Sequence, residues 1–73
     1  MKPFAGPVSE SAIREAIDDV ISGGPGARLE AVAEMSVLQA KQYASRVLLE
    51  KGDAAARVDV YKNGPWLYVE PLK

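Results

Sequence analysis

The sequence predicts a small α+β domain in which three helices are followed by a C-terminal β-hairpin, and three observations predict it. Apolar residues recur at helical spacing from Ile13 to Ile21 and again from Leu29 to Leu48. After Gly52 the apolar period changes from helical to alternating, over residues 57–70. Gly and Pro mark the boundaries, in Gly23-Gly24-Pro25-Gly26 and in Asn63-Gly64-Pro65.

Residues 1–8 contain Pro3, Gly6 and Pro7 and read as an extended, loosely held arm ahead of a single domain over residues 9–73. Ser9 or Ser11 caps the first helix. Ile13, Ala16, Ile17, Val20 and Ile21 give it one apolar stripe, with Glu10, Glu15, Asp18 and Asp19 largely off that stripe. It ends near Ser22, because the glycines and Pro25 cannot continue it. From Ala27 to Lys51 the apolar set is Leu29, Val32, Ala33, Val37, Ala40, Tyr43, Ala44, Val47 and Leu48. Two arrangements fit this run. Ser36 followed by Gln39 has the form of a capping box, which breaks the run at Met35 and Ser36 and gives a second and a third helix. Without that break, one long helix over 27–51 makes a helical hairpin to which the β-hairpin is appended. Gly52 stops the pattern in either case, with Lys51 in the last turn.

In the last third, residues 57–62 form one strand and 66–70 the other. Pro65 lacks an amide hydrogen, so a tight Asn-Gly turn cannot close against Lys62, and a loop of about four residues is expected. That register sets Tyr61 opposite Trp66, Asp59 opposite Tyr68 and Arg57 opposite Glu70 on one face. Val60 and Leu67, and Val58 and Val69, then meet on the face that covers the helices.

Composition narrows the chemistry. The chain of 73 residues is near the lower limit for a domain that folds without staples, so its apolar residues are committed to a core. It has no Cys and no His, which removes disulfides, thiolate nucleophiles, the usual zinc sites and imidazole acid-base catalysis. Gly23-Gly24-Pro25-Gly26 lacks the Lys-Ser or Lys-Thr of a phosphate loop. Glu30 and Glu34 make at most half of a carboxylate metal site. No enzymatic activity, metal, cofactor or small-molecule substrate is therefore expected, and with neither a membrane span nor a secretory signal the expected compartment is cytoplasmic. The net charge of −1 argues against an indiscriminate nucleic-acid binder. Its distribution is uneven. The only charges from Met35 to Leu49 are Lys41 and Arg46, and from Val60 to Val69 only Lys62.

The order helix, helix, helix, hairpin is that of a winged helix-turn-helix. Met35-Ser36-Val37-Leu38-Gln39-Ala40-Lys41-Gln42-Tyr43, then Leu48-Leu49-Glu50-Lys51-Gly52 and the hairpin, resembles the winged-helix fimbrial operon regulators of the FaeA and PapI type, over roughly Leu29 to Val69. Two positions depart from the pattern: Glu30 stands where a small side chain packs between helices, and Glu34 where the turn often has Gly. The resemblance implies a small bacterial or phage transcriptional regulator of double-stranded DNA, working with a larger DNA-binding protein or as a homodimer. Helix 36–50 would enter the major groove. Its outer residues Ser36, Val37, Leu38, Lys41, Gln42, Ser45 and Arg46 would meet bases and phosphates, and the 57–70 hairpin would be the wing, with Lys62 and Asn63 at its tip.

A second function, from another class, fits the same sequence. Tyr61, Trp66 and Tyr68 share one face of the hairpin, and paired aromatics on an outer face make a stacking platform or an interaction hot spot. The acidic first helix, with Glu15, Asp18 and Asp19, offers a further surface. On this reading the domain is a protein-interaction module or a small inhibitor docking on a larger complex.

Overall fold

The computed structural model describes residues 4–72. The chain is α+β, with strand β1 (Phe4–Pro7), helix α1 (Glu10–Ile21), strand β2 (Ala27–Glu30), helix α2 (Val37–Lys51), a 3-10 segment (Gly52–Arg57), and strands β3 (Val58–Asn63) and β4 (Trp66–Pro71). The strands form one four-stranded sheet in the order β1-β2-β4-β3. β1 and β2 are parallel, joined through α1, and the other neighbours are antiparallel.

α1 follows its sequence. The Ser9 hydroxyl accepts the Ala12 N–H at 3.1 Å, and the stripe Ile13, Ala16, Ile17 and Val20 is buried. The Ser36 signal also holds. Its hydroxyl accepts the Gln39 N–H at 3.2 Å while the Gln39 side chain accepts the Ser36 N–H at 3.0 Å, and α2 begins there. Gly52, at φ +62, ends α2.

The expectation of three helices is corrected at residues 27–30, and the same observation removes a continuous helix over 27–51. Ala27 and Leu29 are buried while Arg28 and Glu30 are exposed, a period of two that belongs to a strand. Leu29, Val32 and Ala33 also fit a helical spacing, so the apolar pattern alone does not decide. The backbone decides. Gly26 sits at φ +86 under the Val69 carbonyl, turning the chain into β2, where Ala27 pairs with Val69 and Leu29 with Leu67. Residues 31–36 are then a turn closed by mutual hydrogen bonds of Val32 and Met35.

The arm expected over residues 1–8 is corrected in part. Residues 1–3 lie outside the described residues, but Phe4–Pro7 form an edge strand and Val8 is buried, its N–H donating to the Glu30 carbonyl at 2.8 Å. Pro7 is tolerated because it lies at the end of a strand at the sheet edge.

The hairpin is present, but as half of a sheet and not as a wing standing beside a helical bundle. Its register also differs from the expected one by two residues. Asn63 pairs with Trp66, Tyr61 with Tyr68 and Asp59 with Glu70, leaving Gly64-Pro65 as a two-residue turn. Gly64 at φ +61 followed by proline has the form of a II′ turn, which needs no amide hydrogen from Pro65. A slip of two leaves every side chain on its expected face.

Both helices cover one face of the sheet. Ile13, Ile17, Leu29, Val47, Leu67 and Val69 are fully buried in a single core, and Ala40 and Ala44 let α2 approach closely. The helices are tied together by Lys51 and Asp18, at 2.6 Å, and by Arg14, which reaches both Glu50 and the Tyr43 hydroxyl at 3.3 Å. These contacts raise the pKa of Arg14, chiefly through its hydrogen bond to Glu50. No helix among the described residues is long and apolar enough to cross a membrane.

Candidate functional site

Strand alternation builds the candidate site. With Ala27, Leu29, Val58, Leu67 and Val69 turned to the core, Arg28 and Glu30 of β2, Asp59 and Tyr61 of β3, and Trp66, Tyr68 and Glu70 of β4 stand on the opposite face. Both helices pack on the other side, so among the described residues no element covers this face. It is the open face of the sheet.

The side chains there are organised in two groups. Tyr61 and Tyr68, directly opposite each other, stack with ring centroids 5.0 Å apart and planes 9° apart. The Tyr61 hydroxyl donates to a Glu70 carboxylate oxygen at 2.8 Å. Beside them the Arg28 guanidinium lies 4.5 Å from the centroid of the Trp66 ring, a cation–π contact across β2 and β4. The Tyr61 pKa is raised, first by that hydrogen bond to Glu70, then by burial and by the charges of Glu70, Tyr68 and Asp59. Tyr61, Trp66 and Tyr68 are all half-buried.

This geometry limits the chemistry. Each tyrosine ring turns one side to the other, and the guanidinium covers one side of the indole. A stacking platform for nucleotide bases needs open ring faces and a basic surround. Here Arg28 is the one cation of β2–β4 on this face among the described residues, and the face also carries Glu30, Asp59 and Glu70, with Asp59 directly opposite Glu70. Two carboxylates in that relation repel each other, and neither has an ion-pair partner among the described residues.

The residues expected to read DNA are placed differently. Leu38, Lys41, Gln42, Ser45 and Arg46 are exposed on the outer side of α2, whereas Val37 is half-buried against the core. The Ser36 hydroxyl is occupied as the helix cap, and the Ser45 hydroxyl donates to the Lys41 carbonyl at 3.1 Å. Gln42 and Arg46 line a groove of about 410 Å³ that also contains Glu10 and Glu34, so Arg46 does not stand in a purely basic surface. Lys62 and Asn63 are exposed beside the β3–β4 turn.

The acidic residues of α1 divide. Asp18 is paired with Lys51 and the Asp19 carboxylate accepts the Gly26 N–H at 2.9 Å, so both are used within the fold, while Glu15 is exposed. The structure thus unites Tyr61, Trp66 and Tyr68 but places Glu15, Asp18 and Asp19 on another element. Arg28 is the site residue that sequence reasoning missed. The alternation Ala27-Arg28-Leu29-Glu30 directly after Gly26 was the signal that assigns it to the same sheet. Comparison with known protein families, with curated proteins and with solved structures gives no match.

Proposed function

We propose that the protein is a protein-interaction module that binds through the open face of its sheet. The observation that carries this reading is the half-buried cluster of Tyr61, Trp66 and Tyr68, with the exposed Arg28 guanidinium lying over Trp66, on a face with no element above it among the described residues. Aromatic and arginine side chains are the usual anchors of protein interfaces, because each removes a large area from water while retaining a polar tip. The surrounding acids favour a partner with basic residues over a polyanion. Affinity capture with the purified protein tests the reading. Recovery of a stoichiometric protein partner, lost with Trp66→Ala and retained with Lys41→Ala, is the expected result. Retention of that partner by Trp66→Ala overturns it.

The second reading is a DNA-binding regulator, and the outer side of α2 supports it: Lys41, Gln42 and Arg46 are exposed with Leu38, and no acid lies between Val37 and Leu49. The winged-helix resemblance contributes here only through the α2 segment and the hairpin. With strand β2, not a helix, directly ahead of α2, the helix-turn-helix partner is missing, and α2 would enter the groove with about two to four phosphate contacts for each monomer. A duplex-DNA anisotropy titration at low salt tests it. Binding that weakens with Lys41→Ala and Arg46→Ala together supports the reading, and absence of binding removes it.

A further inference from the structure

We infer that the outer edge of β3 is a strand-addition site for an extended segment of a partner protein in which basic and aliphatic residues alternate. The inference rests on the reading of the open face as an interaction surface and names the chemistry of its partner.

Backbone geometry comes first. β3 is at the edge of the sheet, with β4 on its inner side only. Asn63 and Trp66 flank a two-residue turn, so they exchange hydrogen bonds, and alternation then assigns the peptide groups of Tyr61 and Asp59 to β4 as well. The Leu72 N–H donating to the Arg57 carbonyl, at 2.8 Å, follows the same phase, and Pro71, with no N–H to give, falls opposite Val58 where none is needed. The peptide groups of Val60 and Lys62 therefore point outward. No hydrogen bond uses them among the described residues, whereas the Val58 N–H is taken by the Ala55 carbonyl. The other edge, β1, offers a poorer template, since it is four residues long and ends in Pro7.

Side-chain placement then specifies the partner. A strand added beyond β3 would set alternate side chains on the open face, beside Asp59 and Tyr61, and the others beside Val58, Val60 and Lys62. The first set meets the Asp59 carboxylate, whose cross-strand neighbour on β4, Glu70, holds the Tyr61 hydroxyl; the two like charges repel, and neither has an ion-pair partner among the described residues. A Lys or Arg there relieves that repulsion. The second set meets the two valines, which calls for aliphatic residues. A second copy of this chain is a poor occupant, because its own β3 would bring another Asp59 and no cation to the open face.

Blocked eight-residue peptides of alternating Val and Arg, and of alternating Val and Glu, titrated into the isotopically labelled protein test this. Saturable amide shifts centred on Val60 and Lys62 with the basic peptide, and none with the acidic one, are expected. N-methylation of the peptide amides that would face β3 should weaken binding by about tenfold or more, and Asp59→Asn with Glu70→Gln by on the order of fivefold. No binding of the basic peptide at millimolar concentration overturns the inference, as does equal binding of both peptides. Shifts confined to Trp66 and Tyr68, with N-methylation without effect, overturn the strand-addition site and leave the open-face reading standing. Dimerisation of the unliganded protein through β3 in sedimentation also overturns it.

Discussion

Replacing Gly26 with alanine tests the strand assignment of residues 27–30 more sharply than any change within those residues. Gly26 lies at φ +86, and an added Cβ would stand 1.9 Å from the Val69 carbonyl oxygen and 2.9 Å from the Val20 side chain. The left-handed backbone accounts for roughly 1–2 kcal/mol, and displacing packed neighbours for about 1–3 kcal/mol more. A loss near 3 kcal/mol is large against a total of roughly 4–11 kcal/mol for a chain of this length, and lowers Tm by roughly 12–24 °C. Gly23→Ala is the matched control. Its φ is +98 but nothing lies within 4 Å of the added Cβ, so only the backbone contribution applies. Urea unfolding of both variants, followed by far-UV circular dichroism, isolates the contact with β4. Equal destabilisation of the two, within about 0.5 kcal/mol, would refute the close approach of Gly26 to Val69, and with it the pairing that makes residues 27–30 a strand.

Three further outcomes follow from local geometry. Ser36→Ala removes the cap of α2 and should cost about 1 kcal/mol, seen as a Tm lower by roughly 4–8 °C; an unchanged Tm contradicts the capping box. A double-mutant cycle with Arg28→Leu and Trp66→Leu should give a coupling of about 0.5–1 kcal/mol in urea unfolding, and zero coupling removes the cation–π contact. Tyr61→Phe removes a hydroxyl whose pKa is raised in the folded state. Because the folded value lies above the unfolded one, the associated stability is fully present below about pH 10, the unfolded tyrosine value, and is lost as pH rises through the folded value. The stability gap between wild type and Tyr61→Phe should therefore be constant up to about pH 10 and shrink above it; a gap that widens there reverses the sign and the argument.

Elements that carry their own boundary chemistry were legible in the sequence. α1 has a cap, a stripe and a glycine stop; α2 has Ser36 with Gln39 and then Gly52. The faces of β3 and β4 were legible too, because a register error of two residues does not change parity. β1 and β2 were not. Each is four residues long, and each is a strand only because a partner from elsewhere in the chain completes its hydrogen bonds. Phe4-Ala5-Gly6-Pro7 has poor strand propensity, and Leu29 fits two periods. The same long-range pairing hid Arg28, whereas Tyr61, Trp66 and Tyr68 were visible as a group within one local hairpin.

The two proposed binding surfaces carry opposite charge, and this separates them experimentally. Lys41 and Arg46 are on the outer side of α2, while Asp59 and Glu70 are across the sheet, in a molecule whose shortest principal extent is 19 Å. At 0.01 M salt the Debye length is about 30 Å, so the carboxylates would repel a duplex docked on α2. At 0.15 M it is about 8 Å, and that repulsion is screened. Asp59→Asn with Glu70→Gln should therefore strengthen DNA binding at low salt, by a factor that vanishes at physiological salt, if α2 reads DNA. The same substitutions weaken binding of a basic peptide at β3, where the charges are in contact and their loss is felt at both salt concentrations. Measured side by side, the two titrations move in opposite directions, and a gain in DNA binding that persists undiminished at 0.15 M salt would place the DNA on the open face, in contact with these carboxylates, instead of on α2.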